Sequence, residues 1–187
     1  MRSWLVAGLA GAILMYVWIS IAHIALPLGE TGVSQIPNEA PVLAAMHNSI
    51  GDKSGFYFFP WVDMSSKTAM ADESAKMKAN PSGILIYHPP GQGVEMVPAT
   101  LAMEFVKEAI TALIAAFLRA QTMIAGYAAR VGFVSLVGLA AALTTNASYW
   151  IWYAFPTNYT LAYGLIDFLS YVAAGIAIAA VLRKPAR

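Results

Sequence analysis

The chain has 187 residues, 59% of them hydrophobic and 11% charged, with a formal net charge of +1 and a mean hydropathy of +0.62. Soluble domains carry about 25% charged residues, so much of this chain is built for lipid, and its near-neutral balance offers no basic stripe for nucleic acid. The absence of cysteine excludes disulfides, thiolate nucleophiles, zinc–thiolate sites and iron–sulfur clusters.

The opening run, MRSWLVAGLAGAILMYVWISIAHIALP, is apolar from Trp4 to about Ile24. A cleavable signal has an apolar core of about 7–15 residues and a small-residue cleavage site, whereas this stretch approaches the ~20 residues that cross ~30 Å of hydrocarbon. It reads as a retained transmembrane helix, making residues 1–26 the first unit of the chain. Ala7 and Gly11, then Gly8 and Ala12, put small residues at helix-packing intervals, as Gly175 and Ala179 do near the other end. Such spacing lets backbones approach in lipid, where van der Waals packing drives helix association. An internally packed bundle is the plainer use of these faces; a lateral docking face is the other.

Residues 27–97 form a polar insertion with order in it. NEAPVLAAMHNSI (38–50) reads as a short helix with Asn38 at its N-cap. Ser54-Gly55 precedes FYFF and Pro60; Ser82-Gly83 precedes ILIYH and Pro89. Both are short aromatic or β-branched runs bounded by glycine and proline, the pattern of a strand. The segment between them suggests a helix of about three turns, with Met70 and Met77 as a buried stripe seven residues apart. A connection of that length permits a parallel, right-handed crossover, giving an α-β-α-β module over the outer face of the bundle. Two strands alone are marginal in water and leave both edges unpaired, so something should cover them.

Three further apolar segments follow, at roughly 98–119, 128–150 and 160–182, so residues 98–187 complete a mainly α, four-transmembrane-helix bundle. Arg2 precedes the first span, Arg119 and Arg130 lie between the second and third, and Arg183, Lys184 and Arg187 follow the fourth. The insertion carries four lysines against seven acids, with no lysine close to a membrane end. By the positive-inside rule both termini are cytoplasmic and residues 27–97 extracytoplasmic, in the inner (cytoplasmic) membrane of a bacterial-type cell. YWIWYAFPTNYT (149–160) joins the last two spans, and Tyr149, Trp150, Trp152, Tyr153 and Tyr159 form an interfacial aromatic belt. Tyr16 to Trp18 sit too deep for such a belt.

Ionisable groups interrupt two spans. At 1.5 Å per residue, Glu108 lies about 16 Å and Glu104 about 22 Å from Arg119, while Asp167 lies about 24 Å from Arg183, level with Glu104. Glu104 and Glu108 share a helix face beside Lys107. Charge at the bilayer centre costs roughly 2.5–3.5 kcal/mol on insertion scales, so Glu104, Lys107, Glu108 and Asp167 are expected to face inward as a polar network. Lys107 would neutralise a carboxylate at i−3, with Asp167 the nearest group across a helix interface. Such a network is a cation or proton site, a lock on helix register, or the water-facing start of a helix beginning outside. The apolar stretch Ala112 to Leu118 favours a lock over a conducting path.

His23, His47 and His88 could bind zinc or copper from the outer side, but their spacing matches no local motif and they read as ordinary interfacial histidines. Met46, Met64 and Met96 make the insertion thioether-rich without forming a ligand set. Haem b would need histidines inside the spans, PPGQGVEMVP lacks the glycines of a phosphate loop, and no serine occupies a nucleophile elbow. No cofactor and no enzymatic activity are expected. The function that fits is a non-catalytic accessory or scaffold subunit of a larger membrane complex, such as an energy-converting one. Its partners would be the lipid bilayer and either another membrane protein or a second copy. The alternatives are a small transporter or ion- or proton-coupled membrane protein using the intramembrane carboxylates, and an extracytoplasmic metal-binding module.

Overall fold

The computed structural model describes residues 3–183; Arg2, Lys184 and Arg187 of the topology argument lie outside the described residues. The chain is mainly helical, with three helices long and apolar enough to cross a membrane: α1 (Ser3–Ala25), α5 (Tyr127–Tyr153) and α6 (Thr157–Val181). This is the pattern of a multi-pass membrane protein. Between α1 and α5 lie α2 (Glu39–Ile50), β1 (Gly55–Phe59), α3 (Ala69–Ala79), β2 (Gly83–Tyr87) and α4 (Pro98–Ala120). Helix α4 matches the others in length but carries Glu104, Lys107, Glu108 and Arg119, which sets it apart in composition. The chain divides into two compact units, residues 34–95 and the remainder.

The helical unit is a row rather than a closed ring. α1 packs against both α4 and α6, and α6 against α5, so the order across the row is α4–α1–α6–α5, while α4 and α5 touch little. Neighbours run antiparallel: Trp4 meets Phe117 edge-on at 5.6 Å and Tyr16 meets Phe105 at 5.5 Å along the α1–α4 interface. The interior is built of small side chains, among them Ala7, Ala12, Ala112, Ala115, Ala116 and Ala174. On the three apolar helices the exposed positions carry bulk, as at Leu9, Ile13, Leu136 and Leu161. That inversion is what lipid permits: tails solvate leucine as well as a protein core does, so close backbone approach decides what packs inside. The small-residue faces are accordingly spent within the row. A Cβ on Gly11 would lie 3.1 Å from Ile178 of α6, and one on Gly8 would come 2.9 Å from the Leu113 backbone of α4.

Gly138 shows how tight this is, since a Cβ there would overlap Cβ and Cγ of Tyr171, whereas one on Gly132 in the same helix would meet nothing. Tyr171 cannot swing its own stem aside, so α5 and α6 would have to separate. Gly138→Ala is expected to destabilise the fold by about 1–3 kcal/mol, and Gly132→Ala to gain up to about 1 kcal/mol of helix propensity. Unfolding midpoints of the two variants in one detergent check the opposite signs.

Trp18, too deep for an aromatic belt, donates its indole N–H to the Ile166 carbonyl of α6 at 3.0 Å. The link between α5 and α6 is shorter than the sequence suggests. Helix α5 continues to Tyr153, and the reversal occupies residues 154–156, with Ala154 in the left-handed region (φ 52°). Two turns depart from α geometry: Ile21–Ala25 at the end of α1 and Leu143–Ala147 within α5 are π-helical.

In the unit formed by residues 34–95 the element order is α-β-α-β, but β1 and β2 pair antiparallel, Gly55 opposite Tyr87 and Phe59 opposite Gly83, not by a parallel crossover. The chain over residues 60–82 therefore returns to the end it left, and α3 lies in the connection. Asn38 adopts a left-handed conformation (φ 51°) and makes no side-chain cap to α2. Met70 and Met77 are exposed, Met70 at 81%, so they form no buried stripe. Tyr87 is the anchor: its hydroxyl donates to the Gly51 carbonyl at 3.0 Å and lies 3.3 Å from Nδ1 of His47. Ahead of α3, Asp63 accepts from the Ser65 amide and hydroxyl at 2.9 and 2.8 Å, which holds its carboxyl below the usual range.

Candidate functional site

Three polar clusters lie in the helical unit. The first is on α4. Lys107 bonds Glu104 at 2.8 Å, one turn back, and also bonds its neighbour Glu108. Glu108 is almost fully buried, while Lys107 and Glu104 remain about half and two-fifths exposed, respectively. One cation thus serves two carboxylates, and its stem stays at the helix surface in the manner of a snorkelling lysine.

Asp167 of α6 does not join that pair as the sequence suggests. Its Oδ2 accepts from the amide of Asn146 at 2.7 Å, although it remains within Coulombic range of Glu108. Asn146 belongs to the π-helical turn of α5, and its amide also donates to the Ala142 carbonyl at 3.0 Å. The extra residue of a π turn re-aims the side chains around it, which lets Asn146 reach across to α6.

Around Asp167 and Asn146 lies the second cluster, a cavity of about 260 Å³ walled by Tyr149, Phe155, Tyr159 and Tyr163. The rings form a column: Tyr153 on Tyr149 (5.8 Å), Tyr149 on Phe155 (5.3 Å), Phe155 against Tyr159 (5.5 Å) and Tyr159 on Tyr163 (4.2 Å). The segment after α1 closes over it. Tyr163 donates its hydroxyl to the Gly29 carbonyl at 3.1 Å, and Gly32 (φ 81°) passes so close to Tyr159 that a Cβ would sit 2.6 Å from that residue's own. His23, in the π turn of α1, meets the Tyr163 ring edge-on at 6.0 Å. Of the belt residues, Trp150 and Trp152 are exposed, but Tyr159 is half-buried in this wall. The proximity of Asn146 to Asp167, residues from different helices joined by a short turn, has no signature in the chain itself.

The third cluster was legible only as a charge bias. Arg119 and Arg130 are buried and hold the end of α6. Arg119 donates to the Ile124 carbonyl at 2.9 Å and to Leu182 at 3.4 Å; Arg130 donates to Leu182 at 3.0 Å and to the Arg183 carbonyl. Helix C-termini leave four carbonyls unpaired and partially negative, and here two guanidiniums supply the missing donors. The Nε atoms of both have no partner among the described residues.

The histidines are not brought together. His23 lies against Tyr163, His47 belongs to the other unit beside Tyr87, and His88 is exposed. Among the described residues no group of three or more metal-ligating side chains is arranged to hold an ion. No known protein family matches this chain, and neither a curated protein nor a solved structure is detectably similar to it.

Proposed function

We propose that the chain is a non-catalytic accessory or scaffold subunit of a membrane complex, using its unit of residues 34–95 to dock a partner. The supporting observation is how little that unit buries: of its residues only Val62, Ala69, Tyr87 and Pro89 are buried. A domain this small needs nearly all its apolar surface to offset chain entropy. Instead Phe56 is 52% exposed, Ile86 66% and Trp61 68%. Phe56 and Ile86 stand opposite each other in the register and so share one face of the sheet, which has only two strands. An apolar face with open edges fits a partner that adds a strand or lays an apolar segment across it.

In this reading α4 is a fourth span, with Lys107 making its carboxylates tolerable and Val106, Ile110 and Ile114 facing lipid. The termini and the Arg119/Arg130 end are cytoplasmic and residues 27–97 extracytoplasmic, in the cytoplasmic membrane of a bacterial-type cell. In the transporter alternative Lys107 already engages Glu104 and Glu108, which leaves Asp167 as the one carboxylate of that network without an ion pair among the described residues.

Gentle-detergent purification of the full chain tests the docking reading. A stoichiometric partner, or a defined homo-oligomer, is expected, and Phe56→Asp or Ile86→Asp should release it while leaving the helical unit folded. A lone monomer in mild detergent and in native membranes alike would overturn the reading. The threading is checked separately by cysteine labelling in sealed cells: Met70→Cys is expected to react with a membrane-impermeant maleimide and Ala125→Cys to react only after permeabilisation.

A further inference from the structure

We propose that the cavity between the π-helical turn of α5 and the first turns of α6 binds the ammonium group of a small organic cation, with Asp167 as counter-charge and the tyrosine column as its wall. Four observations carry this. First, the Asp167 carboxylate receives one described hydrogen bond, from the neutral amide of Asn146, and among the described residues both ion pairs belong to Lys107. Asp167 is half-buried, and a carboxylate so withdrawn from water with a neutral amide as its partner has charge left for a cation to meet.

Second, the wall is aromatic. Tyr149, Phe155, Tyr159 and Tyr163 all line the cavity, and an alkylammonium group is attracted to any ring face that the column leaves uncovered. Asp167 is the one charged group in the lining, beside the neutral oxygens of Thr145, Asn146, Thr160 and the tyrosines, a charge that matches a monovalent cation rather than the several carboxylates a divalent metal ion draws on.

Third, the size is selective. At about 260 Å³ the space falls below the roughly 300–1,000 Å³ typical of drug-sized ligands, which suits a single ammonium head.

Fourth, a π-helical turn supplies part of the lining: Thr145 and Asn146 come from Leu143–Ala147, and Asn146 holds Asp167; His23, from the other π turn, lies behind the wall against Tyr163. π turns cost hydrogen-bond geometry and concentrate at functional sites. One of them in the cavity wall, with its Asn146 fixed on Asp167, points to a built site. The inference is independent of the docking reading, since it involves no residue of the 34–95 unit.

The ammonium head has two sources, a zwitterionic lipid or a free quaternary amine. The full chain in detergent is titrated with tetramethylammonium chloride, against sodium chloride at equal ionic strength, with binding read by tyrosine fluorescence and equilibrium dialysis. In parallel the chain is reconstituted in bilayers of phosphatidylethanolamine with phosphatidylglycerol, and retained lipid is identified by native mass spectrometry. Saturable tetramethylammonium binding is expected, weakened at least tenfold by Asp167→Asn, which is isosteric and keeps an acceptor for Asn146. Retention of the ethanolamine lipid by the parent chain and not by Asp167→Asn assigns a headgroup; binding without such retention assigns a free amine. Should Asp167→Asn fail to fold, the tyrosine pair decides: Tyr163→Phe retains the ring and binds, while Tyr163→Leu does not. Absence of both saturable binding and selective lipid retention overturns the site, as does equal binding by the parent and Asp167→Asn, or by both Tyr163 variants.

Discussion

Lys107→Met is expected to destabilise the helical unit by about 3 kcal/mol, and Lys107→Met/Glu108→Leu to recover most of that loss. Removing one partner of a buried pair leaves an uncompensated charge and typically costs about 3–5 kcal/mol. The lower end applies because Lys107 is about half exposed and its pairing is partly screened. Replacing both groups by apolar side chains of similar volume removes the buried charge itself, and such swaps are often neutral or better. Glu104→Gln should matter less, since Glu104 is two-fifths exposed. Unfolding midpoints in one detergent measure all four chains. A double variant as unstable as the single one would mean that Glu108 is held by something other than Lys107.

Arg119→Leu and Arg130→Leu are each expected to cost about 2 kcal/mol, and the double variant to exceed their sum by about 1 kcal/mol. Each single loss strips a donor from the buried Leu182 carbonyl and from a part-buried one, Ile124 for Arg119 and Arg183 for Arg130, and an orphaned acceptor costs roughly 1–3 kcal/mol. Two effects then push the double variant the same way. The Leu182 carbonyl accepts from both guanidiniums, so either one partly covers for the other. The two cations also repel one another, and each single substitution relieves that repulsion, which the double can relieve only once. A thermodynamic cycle on the four chains isolates the coupling. Strict additivity would show that the two arginines cap α6 independently.

The apolar spans were readable because length and hydropathy suffice for that judgement. α4 was readable as a helix, but its three mid-helix charges keep it outside the class of plainly apolar spans. The α-β-α-β order was visible in glycine- and proline-bounded aromatic runs, yet strand direction was not. A connection as long as residues 60–82 can return to either end of β1, and only the register Phe59 to Gly83 decides. The Met70–Met77 spacing suggests burial, but spacing does not supply a neighbour to pack against, and none covers them. At the site, Lys107 and Glu104 were legible as an i, i+3 pair on one helix. The Asp167–Asn146 contact was not, because it depends on how two antiparallel helices align and on a π turn that leaves no compositional trace. Arg119 and Arg130 could be counted as charges, but counting does not reveal that a guanidinium turns inward to seek carbonyls.

The order α4–α1–α6–α5 has a consequence for biogenesis. Helices inserted into a bilayer associate only afterwards, through the contacts available to them. During synthesis α1 can pair with α4 as soon as α4 emerges, but α5 has almost nothing to lean on until α6 arrives to bridge it to α1. A ribosome stalled before residue 157 would thus leave a two-helix hairpin beside a solitary α5, a nascent state for the quality-control machinery to find.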